Sequence, residues 1–335
     1  DVARAGWTGE YKHLFSVDKW EILCFFRELF EGMQAEYGKL RKSVVHNDAN
    51  DNNVVVSNDL ANPEVRAIID YGDAIHTQII NDLAITLAYA VMDKPDPLGA
   101  SVPLVKGYHS LFPLLEEELE MLYVLVAMRL AISVTKSAIN REKEPDNKYL
   151  LVSEAPAWEL LEKWSTLSPE FAHYSFRQAC GFAAHPRELE FQQWAAEHPV
   201  SLFSLFPSLN REEIFPLDLS VSGTWIGDRE EAGDLELFQY KIERLQRKVP
   251  DKILAGGYME PRALYSTEAY DRLGNQGKES RSIHLGIDLW VAAGTPVHAL
   301  FDGEVVFAAN DTGEKEYGGL IVLKHLAGEL SLIHI

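Results

Sequence analysis

Cysteine is scarce in this chain: there are only Cys24 and Cys180 in 335 residues, each inside an apolar stretch. Two thiols rule out a disulfide framework, and buried, reduced thiols fit a reducing compartment. Basic residues are also in short supply. Lys and Arg number 31 against 51 Asp and Glu, giving a formal charge of −20 and a pI near 4.9. That balance excludes an extended nucleic-acid surface, which needs clustered Lys and Arg. It suits an amine-bearing substrate, and it equally suits plain solubility. No apolar run is long enough to cross a bilayer, and the longest, Met121–Ser133, is interrupted by Arg129. A membrane partner is therefore not expected. No signal peptide opens the chain and no Met begins it, so Asp1-Val2-Ala3 reads as the interior of a longer protein. What is present is a hydrophobic content of 47% and a length that suggests two domains.

The stretch from Val44 to Val56 organises the rest. Two short β-branched runs flank the polar loop His46-Asn47-Asp48-Ala49-Asn50-Asp51-Asn52-Asn53, so the loop lies between strands. A third apolar run, Ala67-Ile68-Ile69, ends on Asp70-Tyr71-Gly72-Asp73. A turn at Ser57-Asn58-Asp59 would fold that run back and gather Asp48, Asn53 and Asp70 around one cavity. One carboxylate to accept a hydroxyl proton, with an amide and a second carboxylate to hold Mg²⁺, is the set that phosphoryl transfer uses. The bland alternative is an Asn/Asp-rich surface turn in a hairpin.

The spacing His46-x-Asp48-x-x-x-x-Asn53, then Ile69-Asp70-Tyr71-Gly72-Asp73, then Asn81-Asp82-Leu83-Ala84, resembles the aminoglycoside phosphotransferase and choline/ethanolamine kinase superfamily. The resemblance implies roles residue by residue. Asp48 is the catalytic base, and His46 braces its loop. Asn53 and Asp70 bind Mg²⁺ beside ATP. Asp73 is a further metal or substrate ligand, and Asp82 supports the loop from behind. Kinases of this type cover ATP with a lobe that precedes the catalytic loop. Ahead of His46 there is no Gly-rich loop after a strand and no strand lysine, since Lys12 and Lys19 fall in a loop and at a helix start. The chain is therefore expected to carry the C-terminal lobe alone.

Helical spacing dominates up to residue 184. Asp18 with Glu21 reads as a capping box for a helix running to about Tyr37 and stopping at Gly38. Further helices are expected at about 79–91, 101–111, 113–140, 155–166 and 170–184. Leu115–Ser137 is apolar on most sides, as a central helix would be. Glu116, Glu117, Glu118 and Glu120 crowd its start, where the helix dipole favours acids; a role in holding a substrate ammonium is the alternative. Arg129, inside the apolar run, needs a carboxylate partner from the same lobe. Arg187–His198 and Asp234–Val249 read as helices, and 199–216 as loop. His173, His185 and His198 show no metal-ligand spacing.

From about Gly256 the pattern changes to Gly-punctuated β runs at 288–291, 295–300, 303–308 and 320–325. In an extended segment His284 and Asp288 fall on one face, where both could reach one metal. The run His284-x-x-x-Asp288, Gly294-Thr295-Pro296-Val297, Asp302-Gly303-Glu304-Val305 resembles the start of the lysostaphin-like zinc endopeptidases. By that resemblance His284 and Asp288 are Zn²⁺ ligands. The family completes its site with a later His-x-His, which does not follow Asp288 here. The alternative is a structural His–Asp hydrogen bond, with His325 the first suspect for a third ligand and His298 a plain strand-face residue.

The fold expected is a multidomain α+β chain. Residues 1–184 form a mostly helical, protein-kinase-like C-lobe with a small β-hairpin site, 185–255 a connector or small helical module, and 256–335 a truncated all-β domain. Kinase and peptidase segments in this order resemble bacterial fusions that continue into a class III pyridoxal-phosphate aminotransferase. The expected activity is ATP-dependent phosphorylation of a small hydroxyl-bearing amine, hydroxylysine-like, ethanolamine-like or choline-like, in the cytoplasm. A zinc endopeptidase acting on cell-wall peptides and a non-catalytic binding module are the competing classes.

Overall fold

The computed structural model describes residues 10–59, 61–144, 154–209, 213–225, 231, 233–262, 270–280, 282–312 and 317–334. The chain divides into two compact units, residues 1–186 and 187–335.

The first unit is built around one helix. Helix α1 (Val17–Tyr37) is followed by strands β1 (Lys42–Val45), β2 (Val54–Val56), β3 (Val65–Ile68) and β4 (Ile75–Gln78). Helices α2 (Ile80–Ala90), α3 (Pro97–Leu111), α4 (Glu116–Lys143), α5 (Glu154–Ser165) and α6 (Pro169–Ala179) complete it. Helix α4 is buried on nearly every side: Leu119, Leu122, Leu125, Val126, Leu130 and Val134 have no exposed surface. Helices α1, α2, α5 and α6 pack around it. At 28 residues it is long and apolar enough to cross a membrane, longer than the run read from sequence. Here that apolar surface is covered by protein.

Aromatic contacts key the helices together. Tyr123 stacks on Trp164 at 5.5 Å, its hydroxyl donates to the Trp164 carbonyl at 2.9 Å, and the Trp164 indole N–H returns a bond to the Tyr123 carbonyl at 3.1 Å. Burial pushes the Tyr123 phenol well above its usual range. The same cause raises the half-buried Cys180 thiol to about 11, keeping it protonated at neutral pH.

Helix ends follow local rules with one correction. Asp96 and Ser168 cap α3 and α6, each with Pro at the start of the helix. The capping box expected at Asp18 and Glu21 does not form. Helix α1 begins two residues earlier than that cap would place it, at Val17, and the residue before it, Ser16, makes no side-chain cap bond. Of the acids at the start of α4, Glu118 is fully buried. It accepts from the Leu115 N–H at 2.9 Å and from the Arg41 guanidinium at 2.8 and 2.6 Å. Glu116 pairs with Arg177 at 2.6 Å. These two acids serve packing and capping.

In the second unit, α7 (Glu188–Glu197) and the short α8 (Leu202–Leu205) precede β5 (Glu213–Leu217), α9 (Leu235–Lys248) and β6 (Lys252–Gly256). Strands β5 and β6 pair in parallel, with α9 as the crossover. Leu217, Leu219, Ile242 and Leu254 form their core, with Phe215, Phe238, Leu245 and Trp290 packed against it. The stretch 199–216 is therefore not all loop, and α9 is an amphipathic packing helix. Strands β7 (Glu260–Pro261), β8 (Asp271–Gly274), β9 (Gly277–Ser280), β10 (Ile283–His284), β11 (Asp288–Trp290), β12 (Gly303–Asp311), β13 (Gly318–Ala327) and β14 (Leu330–His334) follow. β11 joins β6 antiparallel, so one sheet, β11-β6-β5, crosses the 255/256 boundary drawn from sequence. β12, β13 and β14 form an antiparallel meander. The expected strand at 295–300 is irregular. Pro296 has no N–H to donate, Gly294 turns at φ +84°, and Thr295 bonds back to the Ala292 carbonyl.

Because α4 is enclosed, truncating it should be costly. Leu125→Ala should lower stability by about 2–5 kcal/mol. Leu111→Ala, at a side chain that is 90% exposed, should change it by less than about 0.5 kcal/mol. Denaturant midpoints of the transition reporting the first unit check both.

Candidate active site

Four strands, in two antiparallel pairs, frame the polar loop. β1 pairs with β4 and β2 pairs with β3. The hairpin β2–β3 sets Val54 opposite Ile68, and the Ile69 N–H donates to the Asn53 carbonyl at 2.9 Å. Asp70 is the next residue. Asn53 and Asp70, far apart in sequence, are thus brought together at the open end of one hairpin.

The loop is fixed by its own side chains. His46 is buried; one ring nitrogen, Nε2, meets the Ile69 carbonyl at 2.8 Å, and Nδ1 accepts from the Asp48 N–H at 3.3 Å. That pair of partners puts the proton on Nε2. Tyr71 packs edge-on against the same ring at 4.7 Å. Asn47 has φ +65°, a left-handed conformation that Asn tolerates, and its N–H donates to the Asp82 carboxylate at 2.8 Å. Asp82, on the first turn of α2, therefore braces the loop from behind. Asp70 is also left-handed, at φ +61°, and its carboxylate accepts from the Gly72 N–H at 3.3 Å. Asp73 lies exposed on the short 3₁₀ turn Tyr71–Asp73.

Asp48 is the most connected member. Its Oδ2 accepts from the Asn53 side-chain amide at 3.1 Å and from Asn50 at 3.0 Å, and its carbonyl accepts from the same Asn53 amide at 2.8 Å. Its Oδ1 accepts from Arg129 of α4 at 2.8 Å. The carboxylate that Arg129 was expected to need is thus Asp48 itself. Asn50 was not singled out from sequence. Its signal lies inside the loop, two residues after Asp48, in a position that suits an Asn turn.

The donor set accommodates a magnesium ion. The Asn53 Nδ2 group is committed to Asp48, which leaves its amide oxygen for another partner, and Asp70 follows the Ile69 N–H that bonds to the Asn53 carbonyl. Amide and carboxylate oxygens are the ligands a hard divalent cation takes. Among the described residues no three His, Cys, Asp or Glu side chains cluster as a metal-only cage. A partial protein shell completed by phosphate and water suits Mg²⁺.

In the second unit His284 Nε2 lies 3.4 Å from Asp288 Oδ1, so the two side chains converge. The imidazole Nδ1 meets the Gly257 carbonyl at 3.1 Å. The other Asp288 oxygen pairs with Arg262 at 2.6 Å, and Arg262 pairs with Glu260 at 2.7 Å. Arg262 is buried, yet these two carboxylates outweigh the burial and raise its pKa. Gly256 keeps this space open, since a Cβ there would lie 2.7 Å from the Arg262 guanidinium. Arg262 was missed in the sequence, where it lies outside any motif read. His325, the suspected third ligand, is buried at the base of β12–β13 against the Asp302 carbonyl. It closes that hairpin, where Gly303 leaves room for its ring. Two side chains able to bind a metal therefore converge, and a tetrahedral zinc site needs more.

Comparison with known proteins finds a match within each unit. Residues 2–117 match the model of the phosphotransferase enzyme family, and residues 282–334 match that of peptidase family M23. The chain thus holds a segment similar to that phosphotransferase family and, after it, a segment similar to peptidase family M23. The first segment is 34% identical over 115 residues to hydroxylysine kinase of Danio rerio, covering 34% of this chain and 32% of that protein. It is 30% identical over 138 residues to hydroxylysine kinase of Xenopus laevis, covering 39% of this chain and 37% of that protein. The Mus musculus hydroxylysine kinase is 26% identical over 151 residues, covering 43% and 39%. The chain spans between 32% and 39% of the length of the curated relatives it matches. In the phosphotransferase segment, the described residues ahead of β1 hold a short 3₁₀ turn and α1, and no strand.

Zinc titration checks the second pair. Because among the described residues only His284 and Asp288 converge, binding to this chain should be weak and should vanish in His284→Ala. Tight binding that survives that substitution would separate the pair from any metal role.

Proposed function

We propose that the protein carrying this chain is an ATP-dependent phosphotransferase whose acceptor is a small hydroxyl-bearing amine of the hydroxylysine type. One observation carries the reading: Asp48, Asn53 and Asp70 are gathered at one hairpin end, with Asn53 bonded to Asp48 through its amide nitrogen. The family match of residues 2–117 and the names of the relatives support it. The acid-rich composition suits an amine-bearing acceptor.

The roles follow from the contacts. Asp48 accepts the proton of the acceptor hydroxyl. Asn53 and Asp70 would hold Mg²⁺, which when bound offsets the charge of the transferring phosphate. His46 and Asp82 hold the loop backbone on either side of Asp48. Use of ATP supports a cytoplasmic setting for this work. A second reading attaches to the second unit. The convergence of His284 and Asp288, within a segment matching peptidase family M23, favours zinc-dependent peptide hydrolysis there, with the remaining ligands supplied elsewhere in the protein.

The test is steady-state turnover of the full-length protein with ATP, Mg²⁺ and hydroxylysine, ethanolamine or choline, read as ADP release. Asp48→Asn should lower kcat by about 10²–10⁴, and Asp70→Ala should abolish Mg²⁺-dependent turnover. Wild-type rates in Asp48→Asn would overturn the assignment. The acceptor with the highest kcat/KM identifies the substrate.

A further inference from the structure

Arg129 is out of place by composition. It interrupts the most deeply buried helix of the chain, between Met128 and Leu130, neither of which is appreciably exposed. A cation there costs desolvation unless it is paired. Its side chain is 14% exposed, and it reaches the loop 81 residues earlier through Nη2, which donates to Asp48 Oδ1 at 2.8 Å and to the Tyr89 hydroxyl at 2.9 Å. The guanidinium lies 5.4 Å from the centre of the Tyr89 ring, so α2 and α4 grip it between them.

One atom of this arrangement is left unsatisfied. Arg129 Nε is buried and has no hydrogen-bond partner among the described residues. Orphaned donors of this kind are rare and costly, and they call for a reason. A side chain placed only to saturate itself would not leave that donor empty. This one is aimed so that its outer nitrogen meets Asp48. The three contacts on Asp48 then divide cleanly. Asn50 and Asn53 hold Oδ2 from within the loop, and Arg129 holds Oδ1 from the helical core. The loop alone fixes one oxygen, and the rotation of the carboxylate about its own bond is set by the other.

We infer that Arg129 is a positioning residue for phosphoryl transfer, orienting the Asp48 carboxylate toward the acceptor hydroxyl from the buried helix α4. The inference rests on the reading of Asp48 as the proton acceptor. Misplacement of a reacting group by about 1 Å can cost about a hundredfold in rate, which sets the scale of the effect.

The test compares Arg129→Met, Arg129→Lys and the double variant Arg129→Met/Asp48→Asn with wild type in the full-length protein. Arg129→Met should lower kcat about a hundredfold while KM for ATP stays within about twofold. Arg129→Lys should recover part of the loss, because an ammonium supplies the charge without the planar fork. In the Asp48→Asn background, Arg129→Met should cost nothing further, since it acts through Asp48. Circular dichroism checks folding. Should Arg129→Met not fold, Arg129→Gln replaces it with the same expectations. Wild-type kcat in the neutral variant, a loss confined to KM, or an equal loss in both backgrounds would overturn this role and leave the phosphotransferase reading standing. A folded wild type that transfers no phosphate to any of the hydroxyl amines would overturn both.

Discussion

The first unit depends on the enclosure of α4. A helix apolar on nearly all sides cannot face water, and the helices that cover it fix the frame to which everything else is attached. Tyr123 and Trp164 lock α4 to α5 by reciprocal hydrogen bonds and ring stacking. Glu118 and Arg41 tie the start of α4 to the residue just before β1. The polar loop His46–Asn53 begins where β1 ends, so its position relative to α4 follows from that core. Arg129, a half-buried cation among the buried residues of α4, is the point at which this frame meets the loop, through Asp48.

Within the loop, backbone conformation and side-chain bonding depend on one another. Asn47 and Asp70 both adopt left-handed φ values, which cost most residues more than Asn or Asp. Each is held by a carboxylate–amide contact: the Asn47 N–H bonds to Asp82, and the Asp70 side chain accepts from the Gly72 N–H. The abundance of Asn and Asp here thus has two sources. Some of these residues would perform chemistry, while others make the tight turns that aim them. His46 serves the second purpose, with both ring nitrogens spent on backbone groups.

The second unit shows the same coupling of charge to geometry. Arg262 is buried between Glu260 and Asp288, and the Glu260 carboxylate also accepts from the Leu219 N–H at 2.9 Å. This network orients one oxygen of Asp288 and leaves the other facing His284. Gly256, on the central strand of the sheet, provides the clearance. The sheet, with its α9 crossover, places β11 and therefore Asp288 beside β6.

Much of this was legible in the residues. The helical spacing of Leu115–Ser137 announced a buried central helix, and the spacing of His46, Asp48, Asn53, Asp70 and Asp82 announced a loop–hairpin–helix site, because local periodicity and turn chemistry are written residue by residue. The strand expected at 295–300 did not form, because Gly294 turns the chain and Pro296 has no N–H to donate. What sequence could not decide was pairing across distance. That Arg129 meets Asp48, that Arg262 meets Asp288, that Glu213–Leu217 joins Lys252–Gly256 in parallel, and that His325 closes a hairpin all depend on which surfaces are buried together. The sequence by itself determined the kinds of side chain available for chemistry and the elements that carry them. Tertiary structure decided their partners, because hydrogen bonds and ion pairs have short range and only the packed core sets which groups come within it.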